Sequence, residues 1–150
     1  MKTNYYILFL IVLFSSTALG QTPTWKSFTA ANTSTTLCNH NVLCINGDAQ
    51  GNKWFGTIGG ISVFNGSNWT NYDQSDGLKN AYITSIVFDD DGTKWVSNGE
   101  GVAKFDGAQW TSYDNMSTNW AFMGDDVCSI QIDSVGNKWI AGLWALEKYD

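Results

Sequence analysis

One imidazole, three thiols and a run of three carboxylates are the side chains on which chemistry could rest in this 150-residue chain. His40 is the sole histidine and precedes the first apolar stretch. With only Glu100 and Glu147 beside it, it cannot supply a histidine pair for acid–base work, and no Ser, Thr or Cys has an evident base. His40 is read as a loop residue, and no catalytic site is expected. Zinc is not expected either, because Cys38, Cys44 and Cys128 contain no CxxC pair. Cys38 and Cys44 could close a small loop, leaving Cys128 spare; the favoured reading of Cys44 and Cys128 is a buried thiol in a strand. Asp89-Asp90-Asp91 suggests a calcium loop at first sight. The corresponding residues elsewhere are Asp48-Ala49-Gln50 and Asp133-Ser134-Val135, so only the first Asp persists. Calcium needs several convergent oxygens, and a hairpin turn with one structural Asp explains the pattern more simply. No metal and no cofactor are expected.

The eight tryptophans raise a different chemistry, since aromatic faces stack on sugars. Six of them, Trp25, Trp54, Trp69, Trp95, Trp110 and Trp139, fall at repeated positions and read as packing between repeats. Trp120 and Trp144 break the pattern. Trp144 stands where other copies carry Gly59 and Glu100, and Trp120 lies with Phe122 in an inserted loop. Loops with off-pattern residues are where binding commonly lives. Trp120, Phe122 and Trp144 are thus the candidate ligand-binding residues, against the alternative of plain loop packing.

These residues sit on a repeat. Asp48-Ala49-Gln50-Gly51-Asn52-Lys53-Trp54 returns as Asp89 to Trp95 and again as Asp133 to Trp139, at spacings of 41 and 44 residues. Trp69-Thr70-Asn71-Tyr72 returns as Trp110-Thr111-Ser112-Tyr113, with a lone earlier copy, Trp25-Lys26-Ser27-Phe28. Each repeat predicts four strands. The first is an apolar run (Val42–Gly47, Ile83–Phe88 or Val127–Ile132), expected to be buried on both faces. Then come an Asp-x-x-Gly hairpin, a Lys-Trp strand, a strand ending in Phe64, Phe105 or Tyr149, a second turn at Asn65-Gly66 or Asp106-Gly107, and a Trp-x-x-aromatic strand. The expected fold class is all-β, a β-propeller with blades of four antiparallel strands in about three repeats of 41–44 residues. An outer strand at 25–28, blades at 42–72 and 83–113 and a partial blade at 127–150 make the propeller incomplete.

The order Asp-x-x-Gly-x-x-Trp, a Gly-rich turn, Phe-(Asp/Asn)-Gly and Trp-x-x-Tyr, with the inter-blade segment Ser75-Asp76-Gly77-Leu78, resembles the two-component regulator propeller repeat over nearly all of residues 21–150. Departures gather in the third copy, where Gly142-Leu143-Trp144-Ala145 replaces the Gly-rich turn and 115–126 carries an insertion. The resemblance implies the extracytoplasmic sensor of a membrane-spanning regulator, binding a nutrient-derived ligand and signalling to a kinase. The alternative is a secreted scaffold or adhesion propeller. Propeller lyases that inactivate streptogramins are also similar in their Gly-x-x-Trp repeats, but their histidine pair with Glu has no counterpart here.

Lys2, the apolar run from Ile7 to Phe14 and the small residues Ala18 and Gly20 form a signal peptide over 1–20, with cleavage expected before Gln21. The product is expected to be exported, periplasmic or extracellular. A net charge of −6 with no Arg disfavours nucleic acid as a partner. Expected partners are a carbohydrate or other small extracellular ligand, a protein, or a second copy that completes a six-bladed ring. Membrane attachment would need further sequence, and a segment of a longer propeller protein is the expected status.

Overall fold

The computed structural model describes residues 25–30, 37–119, 121–122 and 126–150. The leader at 1–20 and Trp120 lie outside the described residues. Among the described residues, eleven strands form three antiparallel sheets stacked side by side. The first blade is β1 (Val42–Gly47), β2 (Lys53–Thr57), β3 (Gly60–Phe64) and β4 (Trp69–Tyr72). The second is β5 (Ser85–Phe88), β6 (Lys94–Ser97), β7 (Val102–Phe105) and β8 (Trp110–Tyr113). A third sheet holds β9 (Ser129–Ile132), β10 (Lys138–Ala141) and β11 (Leu146–Tyr149). The three sheets do not close into a ring, so the chain is an incomplete propeller, as the repeat predicts.

The turn chemistry accounts for the strand order. Asn65 Oδ1 accepts from the amides of Ser67 and Asn68 at 3.0 and 2.8 Å, and Asp106 Oδ1 does the same for Ala108 and Gln109. The following glycines take φ of 97° and 101°, which a Cβ would disfavour. At the Asp-x-x-Gly turn the carboxylate does more than bond backbone. Asp48 accepts from the amides of Gln50 and Asn52 and also from the Trp54 indole, Nε1 to Oδ2 at 2.9 Å. Asp133 repeats the arrangement with Trp139 at 3.0 Å. Partial burial pushes the Asp48 carboxyl up, but these donors outweigh it and hold it below the usual carboxylate range. The second blade differs: Asp89 pairs with Lys138, and the buried Trp95 Nε1 has no partner among the described residues.

Each blade buries one face against the next. Trp54 packs with Ile61, Ile83, Ile86 and Val96 between the first and second blades. Trp95 packs with Val102, Val127, Ile130 and Ile140 between the second blade and the third sheet. Close approach needs a small residue on β2: a Cβ on Gly56 would fall 2.7 Å from Ile83 Cγ2 and 2.9 Å from Ile83 O.

Several expectations are corrected by the open stack. β1 is not buried on both faces: Ile45 is 64% exposed, whereas its repeat equivalents Ile86 and Ile130 are 3% and 0% exposed. Ile45 faces away from the second blade, and the other two face a neighbouring sheet. Trp139 and Trp25 are exposed for the same lack of a neighbour, so packing between repeats does not describe them here. Cys128 is exposed ahead of β9 rather than buried in a strand, and Cys44 is half-buried in β1. Cys38 and Cys44 are free thiols; Cys38 Sγ lies 3.2 Å from Ser62 Oγ.

Candidate functional site

The β2–β3, β6–β7 and β10–β11 turns and the linkers between sheets open at one end of the stack. The linkers start alike, because an Asp follows each outer strand. Asp73 caps the short 3-10 turn Gln74–Asp76 through the Ser75 amide, and Gly77 ends that turn at φ 104°. Asp114 begins the longer linker and accepts from the Ser117 amide at 2.7 Å. Its other oxygen meets the Lys79 ammonium, which reaches across from the preceding linker. That ammonium, aided by the Ser117 amide, lowers the Asp114 carboxyl to about 2, and the same bond raises Lys79.

A polar cleft of about 400 Å³ lies over this ion pair, lined by Lys79, Glu100, Asp114, Asn115, Met116 and Asp126. Its walls are tied together. The Asp126 amide donates to Gly99 O at 3.0 Å, and Asn80 Nδ2 reaches Glu100 Oε1 at 3.3 Å. Since Lys79 and Asp114 satisfy each other, Glu100 and Asp126 leave the cleft with an excess of acceptors. That set suits ligands rich in hydroxyl or amino donors. Among the described residues no three metal-ligating side chains converge, and the exposed His40 does not line the cleft.

Of the three aromatic residues singled out from the sequence, Phe122 and Trp144 separate, and Trp120 lies outside the described residues. Phe122 is 7% exposed and belongs to the core with Trp95 and Ile130. It also lines an apolar cavity of about 300 Å³ with Trp95, Tyr113, Ile140 and Tyr149. Trp144 is 78% exposed on the β10–β11 turn and lines neither cavity. The structure therefore does not bring Phe122 and Trp144 to one mouth. The sequence reading also missed Lys79, Asp114 and Asp126. One signal for this cleft was present: Glu100 replaces the glycine that the first blade has at Gly59.

No family model and no curated protein matches the chain. Its fold is shared with solved extracellular domains. That of the hybrid two-component system BT3049 from B. thetaiotaomicron superposes with a TM-score of 0.70 at 21% identity, over 83% of this chain and 17% of that one. A second such domain from that organism, of BT4673, gives 0.55 at 20% identity, over 71% of this chain and 17% of that chain. A streptogramin B lyase gives 0.55 at 18% identity, over 72% of this chain and 40% of the enzyme. The chain thus spans about a sixth of the length of the two-component extracellular domains, and what it shares with all three is the stacked four-stranded blade.

Proposed function

We propose that the chain is an exported recognition module, the ligand-sensing segment of a two-component regulator-type propeller, and that its loop end binds a carbohydrate. One observation carries this reading: the residues that depart from the repeat gather at the loop end, while the repeated residues are used up in turns and in packing between blades. Glu100 and Asp126 supply acceptors for sugar hydroxyls, and the exposed Trp144 ring at the same end supplies a face for stacking. Likeness to extracellular domains of two-component systems supports export and sensing. The lyase likeness supports the blade geometry alone, because the chain's single histidine and its cleft of carboxylates contain no acid–base pair of that kind. A scaffold without ligand would also expose loops, but it would have no use for a cleft with an excess of acceptors.

The test is a glycan array probed with the chain recovered from an exporting host. Saturable binding to a defined class of glycans is the expected result. An array without signal, from protein with a cooperative unfolding transition, would overturn the carbohydrate reading.

A further inference from the structure

Asparagine stands directly before glycine at Asn46-Gly47, Asn65-Gly66 and Asn98-Gly99. Such a pair has a chemistry of its own, because a glycine has no β-carbon to keep its amide away from the preceding side chain. Asn46-Gly47 is off the repeat. Asn46 faces Trp54 across the sheet where the other copies place Val87 and Gln131, and Gly47 stands where they place Phe88 and Ile132. Gly47 does not have a positive φ, and a Cβ on it would meet nothing closer than 3.7 Å. Neither backbone conformation nor packing therefore calls for a glycine there.

The hairpin sets the two residues against each other. The Asp48 amide donates to Asn52 O at 3.1 Å. The alternation of an antiparallel ladder gives the next bonded pair to Asn46 and Trp54, and leaves Gly47 opposite Lys53 without ladder bonds. The Gly47 amide points away from β2 and donates instead to Asn46 Oδ1 at 2.8 Å. Its partner is the oxygen bonded to Asn46 Cγ, the carbon a nucleophile would attack. Asn46 Nδ2, the group that would leave, donates to Ile86 O on β5 at 2.9 Å. Both Asn46 and Gly47 are exposed to water. The other two pairs differ: Asn65 Oδ1 is engaged by the Ser67 and Asn68 amides, and Asn98 is only 2% exposed.

We propose that Asn46 is a site of spontaneous covalent modification, converting to aspartate and isoaspartate through a cyclic imide with Gly47. The Gly47 nitrogen bonds to Asn46 Cγ as the Cγ–Nδ2 bond breaks. The proton lost from that nitrogen passes through water to Nδ2, which leaves as ammonia. Water then adds to one imide carbonyl and returns a proton to the ring nitrogen, and nothing is oxidised or reduced. Opening at the side-chain carbonyl gives aspartate. Opening at the main-chain carbonyl gives isoaspartate, which routes the main chain of β1 through the β-carbon. Either product lacks the donor to Ile86 O and puts a carboxylate beside that carbonyl, so this link between the first and second blades is cut.

Peptide mass spectrometry of the exported chain, incubated at neutral pH, tests this. The peptide holding Asn46 is expected to be the first of the three to gain the mass difference between an amide and an acid. Part of the product is expected to accept a methyl group from an isoaspartate methyltransferase. Conversion at Asn65 or Asn98 ahead of Asn46, or no conversion at Asn46 in the folded chain, would overturn the proposal. Gly47→Ala is expected to keep the unfolding midpoint and lose the conversion; conversion at the parent rate would equally overturn it. Asn46→Asp reproduces one product and is expected to lower the midpoint. An unchanged midpoint would contradict the cut link between the blades.

Discussion

The Lys138 ammonium of the third sheet lies 2.5 Å from the Asp89 carboxylate and 5.4 Å from the centroid of the Trp95 ring. One side chain thus binds both the turn and the strand of the second blade from outside it. In the first blade the corresponding carboxylate is held from within, by Trp54 and Asn52. Lys94 stands over the Trp54 ring at 6.0 Å but is not the partner of Asp48. The interface between the second blade and the third sheet therefore carries an ion pair where the one before it carries a cation over a ring.

Lys138→Met should leave the Asp89 carboxylate half-buried without its cation and cost about 2–3 kcal/mol. Lys53→Met, at an exposed equivalent position, should change stability by less than about 0.5 kcal/mol. Urea unfolding of the two variants checks the contrast, and equal effects would show that the Asp89 pair has no structural weight.

Phe122→Ala should cost about 3–4 kcal/mol, since the ring is buried between Trp95 and Ile130. Trp144→Ala, at a ring that is 78% exposed, should be neutral within about 0.5 kcal/mol. Thermal unfolding separates the core aromatic from the surface one.

Gly101→Ala should be poorly tolerated, because the new Cβ would meet Tyr113 O at 2.2 Å and must push β7 and β8 apart. A loss of about 2–3 kcal/mol is expected. Gly47→Ala meets nothing closer than 3.7 Å and should be nearly neutral by the same denaturant measurement.

Acid should weaken the loop end. The Asp114 carboxyl titrates at about 2 in the folded chain, against about 3.9 when unfolded. Its pKa is depressed, so its contribution is full above about pH 4 and disappears as pH falls towards 2. Lys79 is partly exposed, which limits the contribution to about 1–2 kcal/mol. Asp114→Asn should flatten that part of the stability curve. Asp48 and Asp133 are also held low and will add to the same acid limb in both proteins.

The repeat made the blades legible because turn residues are local: Asn65, Asp106 and the glycines after them act on amides two or three positions away. The indole bond from Trp54 to Asp48 was less visible, since Trp has its own packing reason to recur. Exposure could not be read from residue type. Ile45, Ile86 and Ile130 are the same residue at the same repeat position, and only the neighbouring sheet decides which are buried. The cleft was the least legible feature, because Lys79 and Asp114 come from two linkers that are alike only at their start, in the Asp after each outer strand. Phe122 was ambiguous for a related reason: a residue in an inserted loop could bind or pack, and its ring is buried with Trp95 and Ile130.

The central claim is a division of labour, with repeated residues building the stack and off-repeat residues at the loop end recognising ligand. Its most direct test is glycan binding by Glu100→Gln combined with Trp144→Ala, compared with the parent chain at matched unfolding midpoints. The account predicts a loss of binding of at least tenfold, with the midpoint within about 2 °C. Undiminished binding by the double variant would contradict it and move recognition away from the loop end.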